Sequence, residues 1–121
     1  MNLPRYIIYA AYGWLALSGA LHFVADVVSQ HVRGKRSPGL ETSLYYGLNS
    51  AFSLGQVAFG LLGLYLASRA VELLVATPVM LLSTLAAIGW LTITFLFMEY
   101  WEPRASAGIF CALILVAWLA R

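Results

Sequence analysis

Residues 77–100 read TPVMLLSTLAAIGWLTITFLFMEY, and no charged side chain interrupts them before Glu99. A helix needs about 20 mainly apolar residues to cross the hydrocarbon core of a bilayer. Leucine, isoleucine, phenylalanine and methionine are spread around every side of this segment, where a soluble surface helix would keep one polar face. Thr77-Pro78 suits a helix start, with Thr77 as N-cap and proline in the first turn, where its missing N–H costs nothing. The stretch therefore predicts a membrane-spanning helix over 77–100.

Working outward, three more segments read the same way. Residues 42–68 form a long apolar run with Thr42 or Ser43 as its cap, and Arg69 and Glu72 mark the turn after it. Residues 71–76 fit either an interfacial segment or an early turn of the next helix, kinked at Pro78. Residues 6–29 form another run, with Asn2 and Pro4 at its start, and it lacks a convincing signal-peptide cleavage site. It ends at the basic, Gly- and Pro-containing loop 30–41. Glu102-Pro103-Arg104 opens a fourth segment, 104–120. The expectation is an all-α integral membrane bundle of four transmembrane helices, a single domain over 1–121, with both termini on the same side.

Composition agrees. Of 121 residues, 62% are hydrophobic and only 10% charged, against about 25% charged in soluble domains. A soluble chain of this length could not bury so much apolar surface. The net charge of +2 gives no case for nucleic acid. The single cysteine, Cys111, cannot form an internal disulfide and reads as a small packing residue. Tyr6, Tyr9, Tyr45, Tyr46, Tyr65, Tyr100, Trp101 and Trp118 crowd the span ends, where amphipathic rings favour the headgroup level. Arg33, Lys35, Arg36 and Arg104 on one side outnumber Arg5, Arg69 and Arg121 on the other. That bias favours a cytoplasmic 30–41 loop. The expected location is a bacterial inner membrane.

Polar residues inside the spans mark the candidate site, because each is costly in lipid. Ser18, His22, Asp26 and Gln30 recur every four residues, on one helix face. Tyr45 or Tyr46, Asn49, Ser53 and Gln56 form a matching face on the second span. His22 lies about two turns before the first loop and Asn49 about two turns after it, at equal depth. The third span brings Glu99 and Glu102 to the same end along a looser stripe. Ala105, Ser106, Ala107, Gly108, Cys111 and Ala112 in the fourth span suit close helix packing. Gly47, Gly55, Gly60 and Gly63 also read as packing notches, since they lack the strand-to-helix setting of a phosphate loop.

Each member also has a plainer reading. His22 and Asp26 can serve as an intrahelical pair fixing helix rotation. Asn49 and Gln56 can hydrogen-bond across helices, Glu99 and Glu102 can be solvated or pair with Arg104, and His31 can be a loop residue. Taken together, the pattern predicts a pocket enclosed by the first three helices, lined by His22, Asp26, Tyr45, Tyr46, Asn49, Ser53, Gln56 and Glu99. The leading expectation is binding or transport of a small or lipid-like ligand, with membrane lipids around it and a homodimer or other membrane partner as the larger assembly. A membrane-embedded enzyme is the alternative, with His22 as base oriented by Asp26 and Glu99 as acid. In a metal-assisted form the ligands would be His22, Asp26, Glu99 and Glu102. An accessory or scaffold subunit is the third reading. No cofactor is indicated, and two histidines give haem little support. In size the chain resembles the short four-span multidrug transporters, but the glutamate of their first helix has no counterpart here, since Asp26 lies much nearer the helix end.

Overall fold

The computed structural model describes residues 3–121; Asn2, expected at the first helix start, lies outside them. Four helices are long and apolar enough to cross a membrane: α1 (Leu3–Val32), α2 (Leu40–Arg69), α3 (Thr77–Phe97) and α4 (Trp101–Ala120). The chain is thus built as a multi-pass integral membrane protein, helical throughout and without strands among the described residues.

The helix ends differ from the sequence reading in instructive ways. α1 contains a π-helical turn, Val24–Val28, in which the Ser29 N–H reaches back to the Val24 carbonyl. Such one-turn insertions change which residues share a face, and they recur at functional sites. α1 stops at Gly34, whose φ of 60° is the left-handed conformation that ends a helix at little cost to glycine. α2 begins at Leu40, before the expected Thr42 or Ser43 cap, and Thr42 donates instead to the Ser37 carbonyl. Ala70 breaks the chain direction, and Val71–Leu74 forms a separate helical turn that buries Leu74. Ala76, not Thr77, is the extended residue before α3. α3 ends at Phe97, three residues short of Tyr100, because Met98 is extended (φ −115°, ψ 130°). α4 begins at Trp101, which places Pro103 in its first turn.

In lipid, helices associate through close packing and hydrogen bonds, since tails are as apolar as leucine. α1 packs most extensively on α2 and also on α4, and α4 packs on α3. Small residues set the α1–α2 approach. A Cβ added at Gly60 would lie 2.6 Å from the Ala16 nitrogen and 2.8 Å from the Tyr12 carbonyl oxygen. Gly63 lies directly under the Tyr12 ring. The α2 and α3 backbones approach far less closely, and Trp90 bridges them, 5.6 Å from the Phe59 ring and 6.1 Å from that of Phe110. The helices therefore run in the order α2–α1–α4–α3.

One half of the bundle is filled. Ile8, Tyr12, Leu15, Met80, Phe110 and Ile114 are buried there. The Tyr12 hydroxyl meets Ser83 Oγ at 2.6 Å, and Trp118 Nε1 donates to Thr84 Oγ1 at 2.8 Å. Cys111 packs against this core. Leu17, Leu48, Leu54, Leu82, Leu85 and Leu119 point outward and are exposed. The other half carries the polar residues.

Candidate functional site

The four-residue spacing along α1 and the depth match with α2 converge on His22. Its Nε2 lies 2.9 Å from Asn49 Oδ1, and its Nδ1 lies 2.9 Å from Asp26 Oδ2. The orientation of Asn49 follows from its other contact, because Asn49 Nδ2 is 2.8 Å from the Tyr45 carbonyl oxygen. A carbonyl can only accept, so the amide nitrogen must face Tyr45 and Oδ1 must face His22. His22 Nε2 therefore carries a hydrogen. Nδ1 faces a carboxyl oxygen, so one more proton lies between His22 and Asp26. The pair is either imidazolium with carboxylate or imidazole with carboxylic acid, and in both forms its net charge is zero.

A hydrogen-bonded chain continues toward the loop. Gln30 Nε2 lies 3.5 Å from Asp26 Oδ1 and 3.1 Å from the Tyr45 hydroxyl. The Tyr45 and Tyr100 hydroxyls are 3.4 Å apart. Burial, followed by the Tyr45 hydroxyl and the neighbouring Asp26 carboxyl, pushes the Tyr100 hydroxyl above the ordinary phenol range. At the outer end Arg36 Nε donates to Gln30 Oε1 at 3.1 Å, and its guanidinium lies 3.3 Å above the Tyr45 ring. The basic loop thus folds back as a cap on the network. The π-helical turn carries Asp26 between His22 and Gln30 and lets it face both.

Beside this network lies a cavity of about 180 Å³ between α1, α2 and α4. This corrects the expected enclosure by the first three helices. α3 is held off by the Trp90 bridge, and α4 takes its place against α1. Ser18, His22 and Asp26 line it from α1, Gln56 from α2, and Glu102 and Ser106 from α4. Its apolar wall is Trp14, Leu21, Ala25, Phe52 and Pro103. The Trp14 indole donates to the Ser106 carbonyl at 2.9 Å, fixing its ring on the wall. The His22 and Phe52 rings lie 5.1 Å apart.

Two polar side chains here lack partners. Gln56 is only 3% exposed, lines the cavity, and makes no side-chain hydrogen bond among the described residues. Ser53, one turn before it, is 2% exposed, and its Oγ is also unsatisfied. Glu102 carries no ion pair among the described residues. The expected Arg104 partner donates instead to the Thr94 and Met98 carbonyls.

Of the residues expected to line the pocket, Tyr45, Tyr46, Asn49, Ser53 and Glu99 fall outside the cavity lining. Glu99 sits exposed on the α3–α4 connection and away from the lining. Tyr46 packs edge-on against the exposed His31 ring, 5.7 Å away. With Glu99 displaced, no three His, Cys, Asp or Glu side chains converge as metal ligands among the described residues. The set His22, Asp26, Glu99 and Glu102 is therefore not assembled. Trp14, Phe52 and Tyr100 were missing from the sequence reading of the site. Trp14 had a signal, since it lies four residues before Ser18 on the same stripe. Tyr100 was hidden by its resemblance to an ordinary interfacial ring.

Compared with known protein families, curated proteins and solved structures, the chain matches none. The chemistry of the site rests on the residues just described.

Proposed function

We propose that this chain is a multi-pass protein of the bacterial inner membrane that binds a small or lipid-like ligand in the α1–α2–α4 pocket, with the 30–41 loop on the cytoplasmic side. The observation that carries the reading is Gln56. Its amide makes no side-chain hydrogen bond among the described residues, and its polar atoms keep contact with the cavity space where Ser53 Oγ is sealed in. Placed on a cavity wall, it is ready to bond an incoming molecule. The cavity also has the usual make-up of a ligand site, mostly apolar with a few convergent polar groups.

Binding is better supported than catalysis. Both ring nitrogens of His22 are engaged, so it has no free lone pair to act as a general base on a ligand. Transport through a single chain is opposed by the filled half of the bundle around Tyr12, Leu15 and Phe110, so translocation would call for a second copy. Lipid is the partner of the outward leucines.

The test is native mass spectrometry of gently extracted wild type and Gln56→Leu. Wild type should retain a small molecule that Gln56→Leu loses, while the variant stays folded. The reading fails if neither protein carries one and no compound in a small-molecule panel shifts the wild-type mass. It fails equally if Gln56→Leu keeps the molecule undiminished.

A further inference from the structure

The charge of the pocket narrows the ligand class. Within His22–Asp26 the charges cancel whichever atom holds the shared proton. Among the described residues, Glu102, exposed at the rim of the cavity, is then the only lining group with an uncompensated charge. No lysine or arginine among the described residues lines the cavity. Each nearby guanidinium is engaged elsewhere: Arg36 on Gln30 and the Tyr45 ring, Arg33 on Ser29, Arg104 on the Thr94 and Met98 carbonyls. A phosphate or carboxylate ligand would therefore meet Glu102 with nothing to balance it. A cation would meet a carboxylate, an open amide at Gln56, and the rings of Trp14 and Phe52. Aromatic faces and carboxylates together are the usual surroundings of a bound ammonium.

Resting on the pocket reading above, we propose that the ligand is a small organic ammonium with an apolar body about the size of a benzene ring. Size supports the body. A cavity of roughly 150 Å³ holds benzene, and this one, at about 180 Å³, leaves room for an aminomethyl group. The apolar body lies against Leu21, Ala25 and Phe52. The ammonium lies against the Gln56 amide and takes its counter-charge from Glu102.

The experiment compares two probes of equal shape, benzylammonium and benzyl alcohol. Saturation-transfer NMR measures their binding to wild-type protein in phosphatidylcholine nanodiscs, with empty nanodiscs as baseline. Wild type should prefer benzylammonium by about tenfold. Glu102→Gln should bring the preference close to one, while Glu72→Gln, an exposed carboxylate outside the cavity, should leave it intact. Equal binding of both probes to wild type overturns the cation inference and leaves the pocket reading standing. A preference that survives Glu102→Gln also overturns it. Binding of neither probe removes both this inference and the case for a ligand of this size.

Discussion

The bond between His22 and Asn49 is the one interhelical contact on which the donor–acceptor reading of the site depends, and a double-mutant cycle measures it. Asn49→Leu keeps the volume and removes both amide functions. His22→Phe keeps a ring against Phe52 and removes both nitrogens. In Asn49→Leu the His22 Nε2–H is left facing an apolar side chain in a nearly dry site, since the His22 side chain is 7% exposed. An unsatisfied buried donor costs about 1–3 kcal/mol. The lost Asn49 contact to Tyr45 adds little, because that carbonyl belongs to a continuous helix. Side-chain hydrogen bonds between membrane helices average about 0.6 kcal/mol and reach about 1.7 kcal/mol. A 2.9 Å bond between buried partners, strengthened by the carboxyl group on the other ring nitrogen, belongs in the upper part of that range. The expected coupling is about 1–1.5 kcal/mol, and Asn49→Leu alone should cost about 1–2 kcal/mol. Reversible unfolding of the four proteins in mixed micelles with increasing dodecyl sulfate reads these values. A cycle additive to within about 0.3–0.5 kcal/mol would refute the bond, and with it the argument that His22 carries a hydrogen on Nε2.

Gly60→Ala should destabilise the bundle by about 1–3 kcal/mol. Its new methyl meets backbone atoms of Ala16 and Tyr12 that cannot swing aside; the same micelle assay reads it, and a wild-type midpoint would mean α1 and α2 pack less closely than described. Ser53→Ala should be neutral or stabilising by up to about 1 kcal/mol, because it removes a sealed-in hydroxyl without a partner, and Gln56→Leu should be near neutral, because its amide makes no side-chain hydrogen bond among the described residues. A loss above that size in either variant would reveal a hydrogen bond absent from this arrangement. Tyr100, whose hydroxyl is raised above the ordinary value near 10, keeps its proton in the folded state. Its contribution to stability is therefore complete below about pH 10 and is lost as pH rises beyond it. Alkaline titration of the tyrosinate absorbance should give the same amplitude for wild type and Tyr100→Phe until unfolding begins, and a smaller pre-unfolding amplitude in the variant would contradict the burial of Tyr100.

The four spanning helices and the shared faces of the polar stripes on the first two were legible in the residues themselves, while the looser third stripe was not, since α3 ends before Glu99 and Glu102. Apolar runs of spanning length are a property of local composition, and lipid requires the backbone of such runs to bond within a helix. The every-fourth-residue spacing of Ser18, His22, Asp26 and Gln30 likewise defines one side of a helix without knowledge of its neighbours. Which helices meet is a different matter, because it depends on shape at contact. Gly60 and Gly63 let α2 close onto Tyr12, and Trp90 props α3 away from α2. α4, rather than α3, thus completes the pocket, so Glu102 lines the cavity while Glu99 does not. The same holds for partners: Arg104 turns to the Thr94 and Met98 carbonyls at the end of α3, and Gln56 is left without one. Composition and periodicity are local and survive in the one-dimensional chain, whereas the pairing of side chains across helices is decided by sub-ångström fit between surfaces that are far apart in sequence.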